Sequence, residues 1–196
     1  MATVHDVAAA IVERLGSITG MKLEKVVYYC QCWHLARYGS PLFDEPIEAW
    51  RQGPVVPVLF QRHKGRYTIE SWPYGSPADL SDDERESVAW VLTKYGDFSA
   101  IELSRMTHNE LPWRAARGAL PDSAPSSEVI SREIIRDYYA RQSADAETAV
   151  TLATASAALE GVELDAEWQD RMRDVAVGVV SADQLITEEI ARSKRV

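Results

Sequence analysis

The stretch from Met21 to Tyr38 constrains this chain more than any other. Leu23, Val26, Val27, Cys30, Trp33 and His34 recur there at helical spacing. The stretch reads as a long amphipathic helix whose apolar stripe must be covered by the rest of the fold. Gly16 and Gly20 bracket a turn before it, and Gly39 and Pro41 supply its stop.

Shorter elements surround it. Val4 to Leu15 predicts a helix with Val7, Ile11, Val12 and Leu15 on one face. Pro46 to Trp50 predicts a short extended piece, because the residue before a proline avoids the helical region. Arg51 to Pro57 reads as a turn, Val55 to His63 as a helix and Tyr67 to Trp72 as a strand. Ser81-Asp82-Asp83-Glu84 is a capping box opening a helix to Tyr95, with Gly96 after it. Ser99 caps Ala100 to Met106, and Pro112 to Arg117 is a further helical turn. Leu120 to Ser127 reads as a loop and Val129 to Arg141 as a helix. Residues 143–147, small and polar, read as a linker. Three short helices follow: Ala146 to Glu160, Ala166 to Val177 ending at Gly178, and one opened by Ser181-x-x-Gln184 that runs to about Ser193.

Charge narrows the partners. The net charge is −9, and residues 144–196 carry eleven acidic and five basic side chains. Broad nucleic-acid binding needs the opposite balance. An acidic terminal segment fits a basic protein partner or plain solubility. The two cysteines give no disulfide framework, and no apolar run is long enough to span a membrane. A cytoplasmic protein is expected.

Motifs for catalysis are scarce. Cys30 and His34 lie one helical turn apart and could pair as nucleophile and base, but both fall on the apolar stripe. Cys30 and Cys32 point to different sides of a helix, so they are not expected to share a metal. His63 stands alone, and Thr107-His108-x-x-x-Pro112-Trp113 is a candidate site, though such a histidine more often sits beside the indole on a buried backbone group. No Gly-rich phosphate loop, paired-histidine metal motif or serine elbow is present. No enzyme activity, metal or cofactor is expected. The six Trp and eight Tyr read as core and interface residues.

From about Gly20 to Trp113 the sequence resembles the Panacea domain, the antitoxin domain also found in SocA. The matching blocks are Met21-Lys22-Leu23-x-Lys25-Val26-Val27-Tyr28-Tyr29, Trp33-His34-Leu35-Ala36, Leu42-Phe43-Asp44 and Ile47-Glu48-Ala49-Trp50-x-x-Gly53-Pro54-Val55-Val56-Pro57. Leu103-Ser104-x-x-Thr107-His108 and Pro112-Trp113 follow in family order. The resemblance implies a compact, mainly helical domain with a few short strands. It also implies a non-enzymatic protein that neutralises a toxin, either by direct binding or by delivering it to a protease. Self-association through this domain is a further possibility.

From about Ala149 to Arg195 the sequence resembles the small VbhA-type antitoxins. Leu159-Glu160-Gly161-x-Glu163-x-Asp165 and Met172-x-x-Val175-x-Val177-Gly178 carry the likeness. Ser156-Ala157-Ala158-Leu159-Glu160-Gly161 fits the inhibitory signature of proteins that regulate Fic enzymes, which transfer AMP from ATP to a hydroxyl. The resemblance implies that Glu160 sits on the arginine that holds the ATP γ-phosphate. It implies that Ser156 bonds near that site and that Gly161 lets the chain leave closely past the toxin. Leu159, Val162, Glu163, Leu164, Trp168, Met172, Val175 and Leu185 would pack the small domain or its interface. The residues alone leave both readings open. Ser156 and Glu160 share a helical face, and a carboxylate in a last turn opposes the helix dipole, yet a solvated glutamate before a glycine cap gives the same pattern.

The expectation is therefore a mainly α fold: a Panacea domain over 1–142, a linker over 143–147, and a three-helix module over 148–196. The expected function is the antitoxin of a bacterial or phage pair, bound to a cognate Fic-family toxin. The alternative is a proteolytic adaptor.

Overall fold

The computed structural model describes residues 1–177 and 179–193, in two compact units, 1–139 and 140–196. Gly178, expected to end a helix, lies outside the described residues. The fold is mainly α, as expected. Its first unit runs α1 (Val4–Leu15), β1 (Ile18–Thr19), α2 (Gly20–Tyr38), β2 (Glu48–Trp50), β3 (Gly53–Val55), α3 (Pro57–His63) and β4 (Thr68–Ile69). A short 3-10 turn at Pro77–Asp79 leads to α4 (Asp82–Tyr95), α5 (Ala100–Asn109) and α6 (Leu111–Arg117), and α7 (Arg132–Leu159) begins in this unit. Two small antiparallel ribbons complete it. β2 pairs with β3, with Glu48 opposite Val55, and β1 pairs with β4, with Ile18 opposite Ile69.

Local chemistry starts the helices where the sequence places them. Thr3, Ser81 and Ser99 each form a reciprocal capping box, with Asp6, Glu84 and Glu102 respectively. The Thr19 hydroxyl accepts from the Lys22 amide and opens α2. Gly39 ends that helix in the left-handed conformation, at φ 71°.

The central helix differs from its expected form. Every residue from Leu23 to Leu35 is buried, so α2 has no solvent-facing side along that length. Helices α1, α3, α4 and α5 and strand β3 wrap it. Cys30 and Cys32 are therefore both buried, although they point apart. The polar positions that an amphipathic helix would turn to water instead bond to neighbouring backbone and side chains. Gln31 shows this best. Its amide oxygen accepts from the Leu42 and Phe43 amides at 2.8 and 3.2 Å, and its nitrogen donates to the Phe43 carbonyl at 3.0 Å.

Other boundaries shift for physical reasons. Helix α3 starts at Pro57, not Val55, because residues 53–55 are claimed by the ladder with β2. The strand expected over 67–72 is reduced to Thr68–Ile69, the length that its partner β1 offers. Val129 bridges to Glu48, so the following helix begins only at Arg132, with the Ser131 hydroxyl accepting from the Ile134 amide. Residues 143–147 are helical within α7 rather than a linker, since they contain neither Gly nor Pro to interrupt it.

The second unit contains the rest of α7, α8 (Ala166–Ala176) and α9 (Ala182–Ser193). Asp165 caps α8 and the expected Ser181–Gln184 box caps α9. Its apolar centre is small: Ala146, Val150, Val179 and Leu185 are buried. Ion pairs from Arg173 to Glu147 and from Arg171 to Glu188 join α8 to the other two helices.

Replacing Gln31 with Leu keeps the volume roughly constant but strands the backbone amides of Leu42 and Phe43 in the core. It should cost about 2–5 kcal/mol in urea denaturation. A loss below about 1 kcal/mol would show that these groups find other partners.

Candidate functional site

The end of α7 carries the residues singled out for toxin inhibition. The Gly161 amide donates to the Ala158 carbonyl at 3.1 Å and the Val162 amide to the Ala157 carbonyl at 2.9 Å. With Gly161 at φ 78°, this is a Schellman stop, and Glu160 is the cap residue just before it. The sequence pattern places Leu152, Ser156, Leu159 and Glu160 on one face of the helix, and all four are exposed, Leu159 by 90%. No ion pair of Glu160 is present among the described residues.

The remaining candidates separate. Val162 and Glu163 are exposed beside the tip, while Leu164, Trp168, Met172 and Val175 are half-buried and Leu185 is buried. The geometry brings Ser156, Leu159, Glu160, Gly161 and Val162 onto one tip and assigns Leu185 to the packing of the unit.

In the first unit the sequence blocks converge on one buried lattice. Lys25 is fully buried, and its Nζ donates to the Pro54 carbonyl at 2.9 Å. Burial lowers its pKa to about 8, against the pull of the neighbouring Glu24 carboxylate. Gly53, at φ 104°, presses against this ammonium. A β-carbon there would lie 2.6 Å from Lys25 Cε and 2.9 Å from Thr107 Oγ1. His108 stacks on Trp113 with ring centroids 4.2 Å apart, and Trp113 donates from Nε1 to the Trp50 carbonyl at 3.0 Å. The expected position of His108 beside the indole is thus found, but its Nε2 is buried without a hydrogen-bond partner.

Two polar contacts have no local signal in sequence. His63 Nε2 lies 2.7 Å from Glu24 Oε1, and the other oxygen of Glu24 accepts from the Val56 amide at 2.9 Å. The partners are 39 residues apart. Glu110 accepts from the hydroxyls of Tyr29 at 3.0 Å and Tyr139 at 2.7 Å. Burial pushes its carboxyl up to about 7, although both hydroxyls pull it down.

Cys30 and His34 do not form a reactive pair. Burial drives the Cys30 thiol well up from its ordinary value, which suppresses the thiolate. His34 Nδ1 bonds instead to Ser87 Oγ at 2.8 Å, and that hydroxyl is already donating to the Asp83 carbonyl at 3.0 Å.

The lattice of Lys25, Gly53-Pro54, Thr107 and Trp113 lies within a segment that comparison with known families identifies. Residues 23–114 match the family model described as antitoxin SocA-like, Panacea domain. No curated protein and no solved structure matches the chain. The Panacea match spans from α2 to the middle of α6, so it includes both sides of the Lys25–Pro54 contact and the His108–Trp113 stack. The tip at Glu160 falls outside it. No helix among the described residues is long and apolar enough to cross a membrane.

The Glu110 carboxyl holds its proton more tightly in the folded chain than in the unfolded one. The stability it contributes is present at acid pH and is lost as pH rises from the ordinary carboxylate range to about 7. Glu110→Gln should therefore flatten the stability profile between about pH 5 and pH 8 and stabilise the chain at the upper end. Denaturant midpoints across that range test this, and an unchanged slope would rule it out. A β-carbon at Gly161 meets no atom within 4 Å, so Gly161→Ala carries only the conformational cost of positive φ. Circular dichroism should show the second unit destabilised by about 1 kcal/mol, and no loss would mean that the turn relaxes freely.

Proposed function

We propose that this chain is the antitoxin of a toxin–antitoxin pair and that its second unit inhibits a Fic-type AMP-transferring toxin. The Panacea match over residues 23–114 supports the antitoxin role in general. The Fic reading rests on the Ser156-x-x-x-Glu160-Gly161 signature, and one observation supports it: an exposed helical stripe that carries Leu152, Ser156, Leu159 and Glu160. Single exposed leucines are ordinary on protein surfaces, but two on one face around a carboxylate match the way a helix enters a partner's groove. Burying each would stabilise a complex by about 1.5–3 kcal/mol.

In this mechanism the leucines dock the helix and Glu160 reaches the toxin arginine that would otherwise hold the ATP γ-phosphate. A carboxylate and a guanidinium pair in a bidentate manner, and the pair strengthens when water is excluded. The γ-phosphate then loses its productive position and AMP transfer stops. The Schellman stop serves this role mechanically. It ends the helix directly after Glu160 and turns the chain away, so that the carboxylate leads. Ser156, one turn back, would bond beside the same site.

The test is to co-express the chain with the neighbouring reading frame, purify the pair and assay AMP transfer. Glu160→Gly should leave the complex assembled and raise transfer by about a hundredfold or more, the scale on which a displaced γ-phosphate contact acts. Full inhibition by that variant would reject the glutamate mechanism. If no stable complex forms, and neutralisation in cells needs a protease, the chain is an adaptor that delivers its toxin for degradation.

A further inference from the structure

The first unit holds a groove of about 910 Å³, opposite in charge to the chain as a whole. Five cations line it: Lys22, Lys25, Arg51, Lys64 and Arg66. The carboxylate that joins them, Glu24, is buried and already bonded to His63 and the Val56 amide. Lys22 and Lys25 are fixed at their tips by the carbonyls of Gly96 and Pro54. Arg51, Lys64 and Arg66 are exposed and form no ion pair among the described residues. Aromatic and aliphatic side chains accompany them. Trp50 and Phe60 pack edge to face with centroids 4.8 Å apart, and Tyr67 and Ile101 stand at the rim, 84% and 77% exposed.

We propose that this groove docks a short acidic segment of a partner protein, anchored by an aromatic or aliphatic side chain. The inference rests on the reading of the chain as a toxin-binding protein, and it assigns the Panacea unit a contact separate from the Glu160 tip. Charge complementarity chooses the occupant. Residues 1–143 carry nineteen acidic and sixteen basic side chains, so this part of the chain has no broad basic excess and the cations of the groove are a local attraction. A local cluster suits a few carboxylates, whereas a nucleic-acid duplex needs a basic surface that extends along it. The apolar lining favours side chains over phosphates. The floor is held in place by the Lys25–Pro54 and Glu24–His63 contacts, so little ordering accompanies docking.

The full-length chain is tested against a fluorescent copolymer of glutamate and tyrosine, with polyglutamate and a duplex DNA of about 20 base pairs for comparison. The wild type should bind the copolymer about tenfold more tightly than either control, with affinity falling as salt is raised. The triple variant R51E/K64E/R66E changes exposed residues, so folding is preserved, and it should lose about tenfold or more in copolymer affinity. Tyr67→Ala should lower affinity for the copolymer and leave polyglutamate unaffected. Equal binding by wild type and triple variant overturns the proposal, as does preference for the duplex, which would make the surface one for nucleic acid. The probe contains no toxin. A failure here is therefore distinct from a failure of the Fic reading, which the Glu160→Gly assay decides.

Discussion

Glu24 and Lys25 are neighbours on a helix that has no wet side, so two adjacent charges must both be accommodated in the interior. Removing a carboxylate and an ammonium from water costs several kcal/mol each unless hydrogen bonds replace the lost hydration. The fold supplies those bonds from separate directions. Glu24 accepts from His63 at the end of α3 and from the Val56 amide at its start, and so fixes both ends of that short helix. Lys25 donates to the Pro54 carbonyl and holds the β2–β3 ribbon against α2. The same contact explains Gly20 and Gly53. A β-carbon at Gly20 would meet the His63 ring at 2.7 Å, and one at Gly53 would meet the Lys25 side chain.

From that ribbon the polar lattice continues outward. Trp113 bonds to the Trp50 carbonyl, and Arg117 lies over the Trp113 ring at 4.8 Å. The guanidinium donates to the Ala49 carbonyl and to the carbonyls of Pro121 and Ala124, each between 2.7 and 3.0 Å. The loop after α6 is thus ordered by one buried arginine that gathers its carbonyls. A fork-shaped donor suits this arrangement, because a lysine could not reach separate acceptors in one plane.

The two surfaces proposed for recognition use opposite chemistry. The tip of α7 presents carboxylates and leucines on an acidic unit, and the groove of the first unit presents cations and aromatic rings.

Capping and periodicity were legible in the sequence because they depend on residues within one helical turn of each other. The capping boxes at Ser81 and Ser181, the stop at Gly39 and the extent of α1 are all local in this sense. The stop of α7 at Gly161 was legible too, because a glycine after a helical run favours the left-handed cap. The total burial of α2 was not, since the period of apolar residues cannot distinguish a helix covered on one side from one covered all round when its polar members have distant partners. The linker over 143–147 was misread because small polar residues end a helix only when a glycine, proline or competing cap interrupts the backbone. The pairing of Glu24 with His63, the Tyr29–Glu110–Tyr139 bridge and the basic groove join residues far apart in the chain. No local pattern encodes such contacts. Tertiary packing decides them, because a buried polar group must find its partner wherever the fold brings one within reach.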